Sequence, residues 1–221
     1  MAQKKSSSRK RSRPVSEKKS TPNKNLMILA GLAVIIVIAV AAVLLLSNGD
    51  DQTDTNEPDG NPIAIIDTSK GTIKLELYAD QAPYTVENFV KLANDGFYDG
   101  TIFHRISNDF MIQAGRELQD GTPKNSPYGN IEQFEGDVHH ADGTISMAST
   151  GAGVPGSSQF FICDGDQSFL DGSYAAFGVV TSGIEVVRDI ADDEHDGSFE
   201  PNPGGGKPLE DIVINSITIE Q

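Results

Sequence analysis

Side chains that could do chemistry are concentrated in the segment 103–115, which reads Phe-His-Arg-Ile-Ser-Asn-Asp-Phe-Met-Ile-Gln-Ala-Gly. Arg105 stands ahead of the apolar pair Phe110 and Met111, and the amide of Gln113 follows. In a strand that starts at residue 110, alternation places Met111 and Gln113 on one face and their neighbours on the other. With Arg105 brought alongside by the preceding turn, the segment predicts a pocket for a small apolar ring joined to a carbonyl group. A proline residue in a peptide is such a group.

This segment resembles the signature of the cyclophilin-type peptidyl-prolyl cis-trans isomerases, and three further blocks resemble the same family in the same order. The four blocks are Phe103-His-Arg105 with Phe110-Met111-x-Gln113, Gly143-Thr-Ile-Ser-Met-Ala148, Gly156-Ser-Ser-Gln159-Phe-Phe-Ile-Cys163, and Phe169-Leu-Asp-Gly172 leading to Ala176-Phe-Gly178. The resemblance covers about residues 61–221. One block alone is a weak signal, but four in order are specific.

The resemblance implies a peptidyl-prolyl cis-trans isomerase (EC 5.2.1.8) that acts on proline-containing polypeptides. It also implies a mainly β fold, a closed eight-stranded antiparallel β-barrel capped by two α-helices. The residues themselves indicate mostly strands with two helices. No cofactor and no metal is expected, because rotation about a peptide bond moves no proton and needs no covalent intermediate.

The chemistry expected of the site follows from the X-Pro bond, whose resonance sets a rotation barrier of about 18–20 kcal/mol. Twisting localises the lone pair on the prolyl nitrogen, so a fixed cation that donates there stabilises the twisted state selectively. Arg105 and Gln113 are the predicted catalytic residues. The predicted substrate-binding residues are Phe110, Met111, Ala148, Ser149, Gln159, Phe160, Phe169, Leu170 and Tyr174. Phe161 is expected in the core instead, and His104 in a structural or rim role.

Two residues depart from the eukaryotic form of the family pattern, which has Trp at the position of Phe169 and His at that of Tyr174. Both replacements keep an aromatic rim, so they do not put isomerase activity in doubt. The indole N–H that Trp would donate is missing, however. Binding of cyclosporin is therefore expected to be possible but weak.

Local patterns predict the elements that position these residues. A hairpin of Ile63–Ile66 and Thr72–Tyr78 comes first, and a helix then follows Pro83, with Thr85 as a possible cap, and ends at Gly96. A short helix fits Ile184–Ile190. Further strands are expected around residues 110–114, 144–148, 160–163, 176–180 and 212–219. The loops 116–130 and 191–208 have no predicted position.

Charge is divided unevenly along the 221 residues, whose net charge is −15. Residues 1–25 hold nine Lys and Arg against one acid, which leaves 8 basic and 31 acidic residues for the rest of the chain. The tail is predicted to be disordered. A domain this acidic would repel phosphates, so nucleic acid is not expected as a partner. A monomer is expected.

Residues 26–46 form an uncharged apolar stretch of 21 residues, long enough to cross a bilayer. A single-pass cell-membrane anchor is predicted, with residues 47–62 as an acidic flexible linker and residues 63–221 as the isomerase domain. The basic flank predicts a cytoplasmic N-terminus and an extracytoplasmic domain that assists the folding of exported or envelope proteins. The alternative is a signal that is cleaved, which would leave the domain secreted.

Three other motifs indicate structural and not chemical roles. Cys163 is the only cysteine, so it forms no intramolecular disulfide, and a buried apolar role is expected. The pair His139-His140 lacks a third ligand at metal-site spacing and is expected in a loop. The run Gly204-Gly-Gly-Lys207 lacks the phosphate-loop spacing. Two other functions stay open: a non-catalytic module that binds proline peptides as a chaperone, and a structural envelope protein that keeps only the barrel.

Overall fold

The computed structural model describes residues 60–201 and 204–220. The predicted basic tail at 1–25, the membrane span at 26–46 and most of the linker at 47–62 lie outside these residues. Within them, no helix combines the length and the apolar character needed to cross a membrane.

Eight strands of the described residues form one sheet in which every neighbouring pair is antiparallel. The strands are β1 (Ile63–Thr68), β2 (Gly71–Leu77), β3 (Arg105–Ser107), β4 (Met111–Ala114), β5 (Thr144–Met147), β6 (Phe160–Cys163), β7 (Ala175–Ser182) and β8 (Ile214–Glu220). Their order is β3-β4-β6-β5-β7-β2-β1-β8. The mainly β class predicted from the sequence is therefore confirmed.

The hairpin of β1 and β2 follows directly from the alternating sequence of β2. Ile73, Leu75 and Leu77 are buried, whereas Lys74 between them is exposed. The side chain of Thr68 accepts from the amide of Gly71 at 3.1 Å, which closes the turn between the strands. The predicted hairpin is confirmed.

The sheet curls but does not close, so the prediction of a closed barrel is wrong. β3 and β8 lie at its two ends, and no ladder joins these strands in the part of the chain that the structure describes. A single antiparallel bridge between Ile102 and Val213 links the segments that precede them. An antiparallel pairing continued from this bridge would place β3 opposite residues 208–210 and not opposite β8.

Two helices pack on the sheet, α1 (Pro83–Asn94) and α2 (Ile184–Ala191). The cap predicted for α1 is wrong, since Ala82 occupies the N-cap position and Pro83 follows it. The carboxylate of Glu135 instead accepts from the amides of Tyr84 and Thr85, at 3.2 and 2.9 Å. A negative charge at a helix N-terminus is favourable, and here it comes from a distant loop.

The main core lies between the sheet and the two helices. Phe89 of α1 contacts three aromatic rings, with centroid distances of 5.2 Å to Tyr98, 5.6 Å to Phe160 and 5.2 Å to Phe177. These four side chains are fully buried. A smaller cluster of Met111, Phe161, Cys163 and Leu170 is separate from this core.

Candidate active site

A cavity of about 530 Å³ opens beside the smaller apolar cluster. Its lining residues are His104, Arg105, Phe110, Met111, Gln113, Arg116, Ala148, Ser149, Gln159, Phe161, Phe169, Leu170, Tyr174 and Phe199. The structure thus brings together every predicted site residue except one, Phe160. The cavity lies on one face of β4 and β6 and the main core on the other, so both faces of these two strands are covered.

The register of β4 and β6 decides which side chains reach the cavity. Gln113 lies opposite Phe161 and Met111 opposite Cys163. Residues directly opposite each other in an antiparallel pair share a face, so these four lie on the cavity side. Phe160 is on the other face, fully buried in the main core. The prediction that Phe160 lines the pocket is therefore wrong. Phe161, which was expected in the core, lines the cavity in its place.

Arg105 lies on β3, and the turn between β3 and β4 brings it alongside Gln113, as predicted from the sequence. It pairs with Gln113 across the β3–β4 ladder, so the two predicted catalytic side chains occupy one register position. The guanidinium carbon is 5.5 Å from the centre of the Phe110 ring. Burial lowers the pKa of Arg105 from its ordinary value, but a guanidinium stays charged throughout the physiological range.

Two glutamines form the polar side of the cavity next to Arg105. Nε2 of Gln113 donates to Oε1 of Gln159 at 3.1 Å. The backbone amide of Ala148 donates to the carbonyl oxygen of Gln159 at 2.9 Å, which joins this side to the end of β5. Beside them Oγ of Ser149 donates to the carbonyl oxygen of Gly151 at 2.6 Å. The cavity is therefore flanked by amides whose orientation is held by neighbouring groups.

Aromatic rings form the opposite wall. Phe169 is 70% exposed and stacks on Phe110, with centroids 5.9 Å apart and planes at 29°. Tyr174 meets Phe161 edge to face at 5.8 Å. Leu170 ends a short 3-10 turn (Ser168–Leu170) and is almost fully buried. The wall is apolar, and its outermost ring faces solvent.

Behind this wall, Asp171 is bonded to both histidines of the His139-His140 pair. Its Oδ1 accepts from the backbone amide of His140 and lies 2.9 Å from Nδ1 of that ring, and its Oδ2 lies 2.7 Å from Nδ1 of His139. Nε2 of His140 lies 3.0 Å from Oγ of Ser146 on β5. These bonds to His139 and His140 hold the pKa of Asp171 far below its usual range. The prediction of a simple loop pair is therefore incomplete. His140 is fully buried, and its ring is hydrogen-bonded to Asp171 and Ser146.

His104 borders the cavity but is poorly suited to exchange protons. Its side chain is 7% exposed, and Nδ1 is buried without a hydrogen-bond partner among the described residues. Burial lowers the pKa of this imidazole to about 4, assisted by the nearby charge of Arg116. His104 is therefore neutral at physiological pH, in keeping with the structural or rim role predicted for it.

Sequence reasoning missed three residues of the cavity, namely Phe161, Arg116 and Phe199. Phe161 could have been found from the register of β4 and β6, had the pairing been known. Arg116 follows Gln113 by three residues and stands at the start of a loop that carried no pattern. Phe199 lies in the second unplaced loop, far from the other site residues in the sequence. Fold and site together define a domain whose curled antiparallel sheet carries an apolar cavity, flanked by the guanidinium of Arg105 and the amides of Gln113 and Gln159.

Known proteins resemble the chain over this same region. The family described as cyclophilin type peptidyl-prolyl cis-trans isomerase/CLD matches residues 63–219. The isomerase ppi1 of Schizosaccharomyces pombe is 42% identical over 142 residues, which are 62% of this chain and 91% of that protein. The isomerase cyp15 of Rhizopus delemar is 40% identical over 159 residues, which are 71% of this chain but 24% of that longer protein.

Solved structures resemble it as well. A crystal structure of a cyclophilin from Cryptosporidium parvum has a TM-score of 0.64 at 33% identity and covers 73% of this chain and 98% of that one. A second structure of that protein was determined in the presence of the dipeptide Ala-Pro. The chain belongs to the cyclophilin family. It is therefore a peptidyl-prolyl cis-trans isomerase, EC 5.2.1.8.

Proposed function

We propose that Arg105 accelerates rotation of X-Pro bonds by donating a hydrogen bond to the prolyl nitrogen of the twisted state. One observation carries this proposal. Nε and Nη2 of Arg105 both donate to the carbonyl oxygen of Gly204, whereas Nη1 donates to no described residue. A charged donor is thus held at the edge of an apolar cavity with one nitrogen uncommitted.

Arg105 alone would not supply the whole effect. An acceleration of ~10⁴ requires about 5.5 kcal/mol. One charge-assisted hydrogen bond contributes about 1.5–3 kcal/mol. The apolar floor of Met111 and Phe161 supplies a second contribution, because a planar amide is more dipolar than a twisted one and is disfavoured in a dry cavity.

The amides of Gln113 and Gln159 would orient the substrate. In this proposal the proline ring rests on the apolar floor, while Gln113 and the backbone near Ala148 and Ser149 hold the substrate carbonyl and the flanking chain. Phe169 and Tyr174 border the entrance. Cyclosporin would bind weakly, because Phe169 has no N–H to donate.

The mechanism is tested by comparing Arg105→Ala with Arg188→Ala in a coupled prolyl-bond assay. Arg105→Ala is expected to lower kcat/KM roughly 10- to 150-fold, the equivalent of one charged hydrogen bond. Arg188 is half exposed, pairs with Asp142 at 2.7 Å and does not line the cavity, so its variant should keep full activity. Equal rates for the two variants would disprove the mechanism. Peptide affinity without any acceleration, even in the unaltered chain, would indicate the binding module instead.

We further propose that the enzyme is tethered to the cell membrane and acts outside the cytoplasm on exported chains as a monomer. The support comes from the uncharged stretch at 26–46, its basic flank at 1–25 and the acidic composition of the rest. Protease treatment of intact cells should remove the domain without lysis. Protection of the domain until lysis would contradict this location, and its recovery from the medium would indicate cleavage and secretion.

A further inference from the structure

The loop that follows α2 returns to the site and contacts Arg105. This C-terminal loop is defined here as residues 194–201 and 204–209. Its two arms are paired near the base, where the amide of Asp196 donates to the carbonyl oxygen of Lys207 at 2.9 Å.

Glycines allow the returning arm to lie directly on β3. Ile106 and Gly206 exchange two backbone hydrogen bonds, of 2.9 and 3.1 Å. Gly205, which precedes Gly206 in the chain, has φ +80°, and a side chain there would overlap the carbonyl oxygen of Ile106. Its amide donates to Oε1 of Glu200 at 2.8 Å, which ties the arm to the rest of the loop. The run Gly204-Gly205-Gly206 therefore allows the loop to pack directly against the backbone of β3.

This docking places two groups of the loop on the guanidinium of Arg105. The carbonyl oxygen of Gly204 accepts from Nη2 at 2.9 Å and from Nε at 3.2 Å. The ring of Phe199 lies 5.1 Å from the guanidinium carbon, and it also lines the cavity. The Phe199 backbone is fixed in turn, since its amide donates to the carbonyl oxygen of Gly205 at 3.1 Å.

We propose that Phe199 is a positioning residue for the isomerase reaction, which holds the Arg105 guanidinium on Gly204 so that Nη1 faces the cavity. An arginine side chain has many rotamers, and catalysis requires the donor to be in place before the bond twists. A cation over an aromatic face is attracted to it and loses part of that freedom. The inference rests on the proposed role of Arg105.

The test is a double-mutant cycle on the full chain with Phe199→Ala, Arg105→Ala and the double variant. Phe199→Ala is expected to lower kcat roughly 3- to 30-fold, the range for one cation–π contact, with KM changed by less than about twofold. In the Arg105→Ala background the same change should have no further effect. Phe199→Tyr should restore the rate, and Leu209→Ala, at an exposed position of the loop away from the cavity, should not alter it.

Each failure has a distinct pattern. Full activity of Phe199→Ala beside an impaired Arg105→Ala overturns this inference and leaves the mechanism intact. An equal loss from Phe199→Ala in both backgrounds also overturns it, because the ring would then act independently of Arg105. An unimpaired Arg105→Ala overturns the mechanism and this inference with it. Independently of activity, the NMR signal of the Arg105 Nε–H should exchange faster with water in Phe199→Ala, and an unchanged exchange rate would refute the positioning role.

Discussion

The imidazole ring of His140 stacks on the ring of Phe161, with centroids 6.0 Å apart and planes within 11°. Phe161 is part of the cavity floor, and His140 is bonded to Asp171, the residue that follows the aromatic wall. The hydrogen-bonded network of His139, His140 and Asp171 therefore contacts the cavity floor through Phe161 and the aromatic wall through the turn that ends at Asp171. We expect changes in it to alter substrate binding without changing any group that contacts the substrate.

Asp171→Asn tests this connection. An amide cannot accept from both histidine rings and the His140 backbone at once, so the turn that carries Phe169 and Leu170 should loosen. The expected result is a KM raised a few-fold and a loss of stability of about 1 kcal/mol, which lowers Tm by about 2–4 °C in a domain of this size. Asp189→Asn makes the same change at an exposed position on α2. If both variants match the unaltered protein in KM and Tm, the network has no role at the site.

The buried imidazole of His104 predicts a dependence of stability on pH. Its pKa is about 4 in the folded chain and ordinarily about 6.5, so the unfolded chain binds the proton more readily between these values. Stability should therefore fall as the pH drops from 6.5 towards 4, by up to about 3 kcal/mol from this group. Urea unfolding of the unaltered chain and of His104→Gln, at pH 7 and at pH 4.5, measures the difference. Parallel stability curves for the two proteins would contradict the assignment.

The alternation of buried and exposed residues in the sequence predicted strands that have one buried and one exposed face. The alternation of Ile73, Leu75 and Leu77 was sufficient for the first hairpin. It failed at Phe160 and Phe161, because all four residues of β6 are buried and no polar residue marks a face. The contact between Arg105 and Phe199 could not be predicted either, since it joins segments far apart in the chain through a loop without periodicity. Most of the site was still found, because the four family blocks supplied what periodicity could not.

The turn into α2 depends on a glycine, which gives a third prediction. Gly183 has φ +89°, and an added Cβ would overlap the carbonyl oxygen of Thr72 on β2. Gly121 also has a positive φ, of +79°, but nothing lies within 4 Å of a Cβ placed there. Gly121→Ala should cost about 1–2 kcal/mol through the backbone conformation alone, and Gly183→Ala about 2–5 kcal/mol because the overlap adds to it. Chemical denaturation of both variants measures the gap, and equal losses would rule out the overlap.

The single thiol should be inert in the folded chain. Cys163 is fully buried under the cavity floor, and burial raises the pKa of its thiol to about 12. Since the thiolate is the reactive form, its population near neutral pH falls by about a thousandfold, and the reagent must also reach a buried atom. A disulfide reagent such as DTNB should therefore react with about one thiol per chain in guanidinium chloride and with almost none in buffer. Thr181→Cys adds a thiol at an exposed position and shows that the reagent is active. Rapid modification of the native, unaltered chain would mean that the cluster under the cavity opens readily, because only exposure of Cys163 could restore both its ionisation and its access to the reagent.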